Sequence, residues 1–204
     1  MKKIITAIAA SLLLATFASG ADNDKALKTL EQKNASMTGF QGDIRQTKTL
    51  VNKHEIKSAG TLYFAAPDRM SMIYSEPSGE KFIINADKML VKRDGKANIF
   101  DLTKNKLMNS LAITLLYSMQ GRIAELSELC DADIEATMDA SGWNITLTAR
   151  KKAPKGYSQI DLRYSPDGSI TYMKMTEFAG ISTTYEMPTL TRALPSDPSV
   201  FNIK

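Results

Sequence analysis

The chain has 204 residues, with 26 basic and 22 acidic side chains, one histidine and one cysteine. That length supports one domain with a real core. A lone cysteine excludes an intramolecular disulfide, a lone histidine leaves little for histidine-centred catalysis, and a net charge of +4 is too small to mark a nucleic-acid-binding protein.

The N-terminus comes first. Lys2 and Lys3 precede an apolar run, Ile4 to Leu14, and then the small residues Ala18 to Ala21. This order reads as a secretory leader over residues 1–20, cleaved after Gly20 or Ala21, followed by one domain over 21–204. The apolar run is too short to span a bilayer comfortably. Without Lys2 and Lys3, the 26 basic residues become 24 against 22 acids, so the exported chain is close to neutral.

Residues 22–37 predict a helix, with Asp22 or Asp24 at its start and Ala26, Leu27 and Leu30 as its apolar stripe. Residues 37–51 predict a first strand. Strands follow over Gly60–Ala66, Arg69–Ser75, Glu80–Asn85, Met89–Arg93 and Ala97–Leu102, with Asp94-Gly95 as a hairpin turn. The period then changes. Met108, Ala112, Leu115, Met119, Ile123 and Leu126 recur at helical spacing, and Gly121 is the expected break. Alternation returns over Ile134–Met138, Trp143–Ala149, Gln159–Tyr164, Ile170–Thr176 and Ser182–Met187. The tail carries Pro195 and Pro198 and reads as irregular up to a short strand over Val200–Ile203. Hairpins dominate, so the strands predict one large antiparallel sheet that curls to protect its edges, with the helices on its concave face.

Motifs for chemistry are missing. There is no G-x-S-x-G, H-x-x-x-H, C-x-x-C or G-x-G-x-x-G, so neither an enzyme, a metal site nor a dinucleotide cofactor is expected. His54 sits in a polar stretch and reads as an exposed loop residue. Cys130 follows Leu126 and Leu129 and reads as a buried structural thiol. Glu125, Glu128, Asp131 and Asp133 read as a solvated acidic face, and Arg150 to Lys155 as a basic loop. Asn34 and Asn144 open glycosylation tripeptides that occur often by chance.

The apolar set is unusual. Eleven methionines are many, and Met70, Met72, Met89, Met173, Met175 and Met187 fall on predicted strands, where β-branched residues are the default. Methionine adapts to irregular or changing shapes. Such a stripe suits an ordinary core and a soft binding surface about equally.

Gly60 to Pro67 (GTLYFAAP), followed by Met70, Met72, Tyr74 and Pro77, resembles the signature of the LolA family of periplasmic outer-membrane lipoprotein carriers. Ile160 to Tyr164, Asp167-Gly168, Met173, Met175 and Gly180 are similar to that family's C-terminal strand pair. The resemblance spans nearly all of residues 21–204. It implies a mainly β fold with α, an incomplete antiparallel β-barrel of about 11 strands covered by a helical lid, working as a monomer without catalysis or cofactor. It implies that Leu62, Phe64, Ala66, Met70, Met72 and Tyr74 line an acyl-chain cavity. Leu27, Leu30, Met108, Ala112, Leu115 and Met119 would belong to the lid. The partners implied are acylated lipoproteins or other amphiphilic lipids, an inner-membrane exporter and an outer-membrane acceptor. In the family an arginine often precedes the first proline and bonds to the lid. Ala66 stands there in this chain, and Arg69 lies two residues beyond Pro67. Two other readings use the same fold: a binder of a glycolipid or pigment-like lipid, and a non-enzymatic sensor or interaction domain.

Overall fold

The computed structural model describes residues 20–153 and 156–203. Except for Gly20, the expected leader lies outside the described residues. Among the described residues, three helices, α1 (Gly20–Asn34), α2 (Lys106–Gln120) and α3 (Ile123–Cys130), accompany twelve strands. The first block is β1 (Gly39–Thr49), β2 (Glu55–Ala65), β3 (Arg69–Glu76), β4 (Lys81–Asn85), β5 (Lys88–Arg93) and β6 (Lys96–Asp101). The second is β7 (Ala132–Asp139), β8 (Gly142–Ala149), β9 (Tyr157–Tyr164), β10 (Ile170–Glu177), β11 (Ser182–Glu186) and β12 (Leu190–Thr191).

All strands join one antiparallel sheet in the order β6-β5-β4-β3-β2-β1-β11-β10-β9-β8-β7, with β12 beside the first part of β1. Strands β6 and β7 are its two ends, so the sheet curls without closing. The expectation of an incomplete barrel with helices against it is met. The strand count is twelve rather than eleven, because Leu190–Thr191 pairs with Gln41 and Gly42. Two residues in a proline-rich tail show no alternation, so this strand had no sequence signal.

The turns follow their chemistry. Asp94 and Gly95 both have positive φ, 50° and 73°, as a two-residue hairpin turn requires. Gly121 ends α2 in the left-handed region at φ 70°, and its N–H bonds back to the last turn. A side chain there would meet Asn34 Nδ2 at 2.6 Å, so this glycine also permits α1 to approach. At the other end of α2, Asn105 caps the helix by accepting from the Met108 N–H at 3.1 Å.

The register sets the inward face. Phe40, Phe64 and Met70 form one cross-strand row, and Gly42, Leu62 and Met72 the next. Phe40 and Phe64 stack with their rings 5.0 Å apart. Gly60 faces Tyr74 across the β2–β3 pair, and a Cβ there would meet the Ile73 carbonyl oxygen at 2.1 Å, so this glycine permits the β3 backbone to approach closely. Buried residues from both strand blocks and all three helices form one apolar cluster.

The outer face carries a second, smaller apolar layer at Ala65, Ile83 and Leu90. The C-terminal segment covers it. The strand expected over Val200–Ile203 is instead a 3₁₀ turn, Pro198–Phe201. Asp197 caps that turn by accepting from the Ser199 N–H at 2.8 Å, and Pro198 supplies the fixed φ of a first helical position. Phe201 is 2% exposed, and Asn85 Nδ2 donates to its carbonyl at 3.1 Å. Phe201→Ala should therefore lower the unfolding free energy by about 3 kcal/mol, and Phe201→Leu by about 1 kcal/mol. Urea denaturation of the two variants checks this.

Candidate functional site

Leu62, Phe64, Met70 and Met72 are fully buried and Tyr74 nearly so, all on the inward face of β2 and β3. Facing them in the same cluster are Ala112, Leu115 and Met119 of α2, Leu27 and Leu30 of α1, and Ile123 and Leu126 of α3. Met108, near the start of α2, is only half-buried. Seven methionines are buried: Met70, Met72, Met89, Met119, Met173, Met175 and Met187. In this state the helices are packed directly onto the strands.

Ala66 packs against the edge of the same cluster. Strand β2 ends at Ala65, and Ala66 enters the turn to β3, half-buried, across a cis bond to Pro67. It lines a separate cleft of about 240 Å³ with Glu31, Asn34, Met37, Gln120 and Arg122. Arg69 does not take the missing arginine's place. It has the outward parity of β3, opposite to Met70 and Met72, and its guanidinium stacks 5.3 Å over Phe201. A different residue ties α2 to this turn: Gln120 Nε2 donates to the Pro67 carbonyl at 3.0 Å.

Other ties hold the same end of α2 and the length of α1. Tyr164 Oη donates to the Ser118 carbonyl at 2.7 Å. Trp143 Nε1 donates to the Ala26 carbonyl at 2.9 Å, and Asn23 bonds to both Ile134 and Ala136 of β7. Asn34 Nδ2 donates to Gly168 at 3.0 Å, and Arg192 donates to the Asn34 side-chain oxygen. Each is a side-chain bond to a partner distant in the chain, so none had a local sequence signal.

Past Tyr74 the inward face turns polar. Gln46, Ser58 and Tyr185 hold inward positions on β1, β2 and β11. Tyr74 Oη donates to Gln46 Oε1. Glu80 and Arg93 pair at 3.4 Å on the inward parity of the neighbouring strands. Burial pushes the Tyr74, Tyr164 and Tyr185 hydroxyls well above the usual tyrosine range, and pushes Tyr157 up to about 12. Sequence parity did carry this signal. Gln46 and Ser58 stand in phase with Ile44, Leu62 and Phe64.

Two clefts open beside this polar edge. The larger, about 630 Å³, lies between the first turns of α2 and the ends of β1, β9 and β10. Its lining includes Lys48, Lys106, Leu107, Leu111, Tyr157 and Glu177. A smaller one, about 180 Å³, shares Ser110 and Tyr157 with it and reaches the core residues Leu147 and Ile160.

Most remaining candidates have ordinary places. His54 is exposed in the β1–β2 turn. Cys130 is half-buried rather than buried, because it sits at the end of α3 beside the smaller cleft. Burial pushes its thiol up, and a hydrogen bond with Thr114 partly offsets this. The acidic residues do not converge. Arg150 pairs with Asp131 and Asp133, and Arg122 with Glu125. No group of three metal-ligating side chains occurs among the described residues. Asn34 is buried and hydrogen-bonded, which removes it as a glycosylation acceptor in the folded chain. Asn144 is exposed.

The fold and site define a class: a curled, unclosed antiparallel sheet whose apolar concave face is sealed by helices. Over residues 35–204 the chain matches the family described as outer membrane lipoprotein carrier protein LolA, and it belongs to that family. No curated protein matched the chain. Several solved structures are similar. A LolA superfamily protein from Nitrosomonas europaea is 8% identical over 89% of this chain and 98% of its own, with a TM-score of 0.42. An outer membrane lipoprotein-sorting protein domain from Vibrio parahaemolyticus is 12% identical over 88% and 97%, with a TM-score of 0.45. MucB in its complex with MucA, from Pseudomonas aeruginosa, is 16% identical over 88% of this chain and 60% of its own, with a TM-score of 0.43.

The buried tyrosines set an alkaline limit. Their folded pKa values lie above the unfolded value, so the folded state holds their protons more tightly. Stability is then fully present below about pH 10 and falls as pH rises further. Urea midpoints should be flat from neutral pH to about 9.5 and drop above that. The 295 nm absorbance of the buried tyrosines should appear only with unfolding.

Proposed function

We propose that the protein is an exported, periplasmic carrier that binds lipoprotein acyl chains between its sheet and helices and moves them from the inner to the outer membrane. The observation that carries this reading is the family match over residues 35–204. The leader-like residues 1–20 support export, with cleavage near Gly20 or Ala21. An inner-membrane exporter would supply the cargo and an outer-membrane acceptor would receive it. No covalent step is needed.

The physical task is plain. At about 0.8 kcal/mol per buried CH₂, a chain of about sixteen carbons is disfavoured in water by about 12 kcal/mol. A carrier must match much of that and still release. Leu62, Phe64, Met70, Met72 and Tyr74 would contact the chains once α2 lifts from them. The methionines among the buried set can change rotamer as the space fills and empties, which branched side chains do less readily. Ala66, at the edge of the turn, would contribute at most to the rim.

Native mass spectrometry of protein purified from membranes tests the proposal. Co-purified lipoprotein is expected, together with a chain shortened by about twenty residues. Free lipid alone would favour a carrier of other amphiphiles. A bound protein partner without any acyl group would favour an interaction domain. Met72→Leu should retain acyl binding, whereas Met72→Glu should lose it, because a carboxylate on that face would have to be buried without a partner. Circular dichroism separates lost binding from lost folding in the second variant.

A further inference from the structure

Helix α2 is held unequally at its two ends. Its C-terminal end is tied to the sheet by Tyr164 at Ser118 and by Gln120 at Pro67. Among the described residues, no hydrogen bond joins Lys106–Leu111 to any strand. That untied end borders the cleft of about 630 Å³, a size within the range of roughly 300–1,000 Å³ common to small-molecule sites. The smaller cleft adjoins it, sharing Ser110, Gly156 and Tyr157, and reaches Leu147 and Ile160 in the core. The two clefts together lead from the surface toward the inward face of β8 and β9, beside the end of α2 that no hydrogen bond ties to a strand among the described residues.

The mouth of the larger cleft is charged. Lys48 has the inward parity of Gln46 at the end of β1 and is half-buried, Lys106 opens α2, and Glu177 ends β10. None of the three forms a salt bridge among the described residues. In contrast, Lys151 of the smaller cleft is engaged with Asp131 at 3.5 Å. Two lysines against one glutamate leave one positive charge, beside the apolar lining of Leu107 and Leu111. That combination suits an acyl chain with an anionic group next to it.

We infer that amphiphiles load at the N-terminal end of α2, tail first toward Leu147 and Ile160, with an anionic head group held between Lys48 and Lys106. This inference rests on the carrier reading and adds the loading end and the head-group chemistry.

The test compares palmitoyl-lysophosphatidylglycerol with palmitoyl-lysophosphatidylcholine, both below their micelle concentrations, on the full mature chain by fluorescence displacement. The tails are identical and the heads differ by one net charge. One uncompensated lysine predicts about fivefold tighter binding of the glycerol lipid. The preference should shrink from about 0.1 M to about 1 M salt, as the screening length falls from roughly 10 Å to 3 Å. In the Lys48→Gln/Lys106→Gln double variant, where Glu177 remains, the ratio should fall to one or below. Both positions are at the cleft mouth rather than in the core, so folding should survive, and the salt series on the wild type gives an independent reading. Equal binding of the two lipids, or a preference that persists in the double variant, overturns this inference and leaves the carrier reading standing. Failure of both lipids to bind overturns both.

Discussion

An open sheet of twelve strands cannot seal its own concave face, and the rest of the structure depends on how that face is covered. Water would otherwise meet Phe64, Met70, Met72, Met173 and Met175 along its length. The apolar stripe of α2, with Ala112, Leu115 and Met119, has the same need. Each surface is satisfied only by the other. This mutual burial explains why a helical segment interrupts the strand blocks, why Gly121 must let the chain turn tightly into α3, and why α1 lies close enough to touch that glycine. Burial in this form is non-directional, so under the proposed function an acyl chain could replace the helix as the covering surface wherever no directional bond ties the two.

Directional bonds fix where that exchange can happen. Tyr164, Gln120, Trp143, Asn23 and Asn34 bind the helices to the sheet, and they cluster along α1 and at the C-terminal end of α2. The first turns of α2 rest on apolar contact and border open space. Lifting those first turns would cost apolar contact and no hydrogen bond to a strand among the described residues. The polar inward positions Gln46, Ser58, Tyr74 and Tyr185 limit the apolar interior on the side next to the cleft mouth. The surface is thus graded, from charge through tyrosine hydroxyls to methionine and phenylalanine.

The position of Ala66 illustrates how a local substitution is absorbed. Without a long side chain there, the turn is joined to α2 from the helix side by the Gln120 amide. This link is a neutral amide-to-carbonyl hydrogen bond at 3.0 Å. A cleft of about 240 Å³ lies beside Ala66. Arg69 is committed to Phe201 on the other face, where it helps hold the C-terminal turn over Ile83 and Leu90.

Sequence alone determined the order of elements, the break at Gly121, the hairpin at Asp94-Gly95 and the inward phase of Leu62, Phe64, Met70, Met72 and Tyr74. These follow from period and turn chemistry, which act within a few residues. It also supported the family, because the strand–proline–strand pattern is local. The tertiary structure alone decided the rest. Alternation continued past Phe64 to Ala66, but the strand ends at Ala65, since the turn and not the pattern sets the last paired residue. The tail could be read as a strand, but Asp197 and Pro198 coil it into a 3₁₀ turn over a patch of the outer face that no sequence window reveals. The β12 pairing, the ties on α2 and the meeting of Lys48, Lys106 and Glu177 join residues far apart in the chain. Long-range contacts of that kind leave no periodic trace, so only the folded chain specifies them.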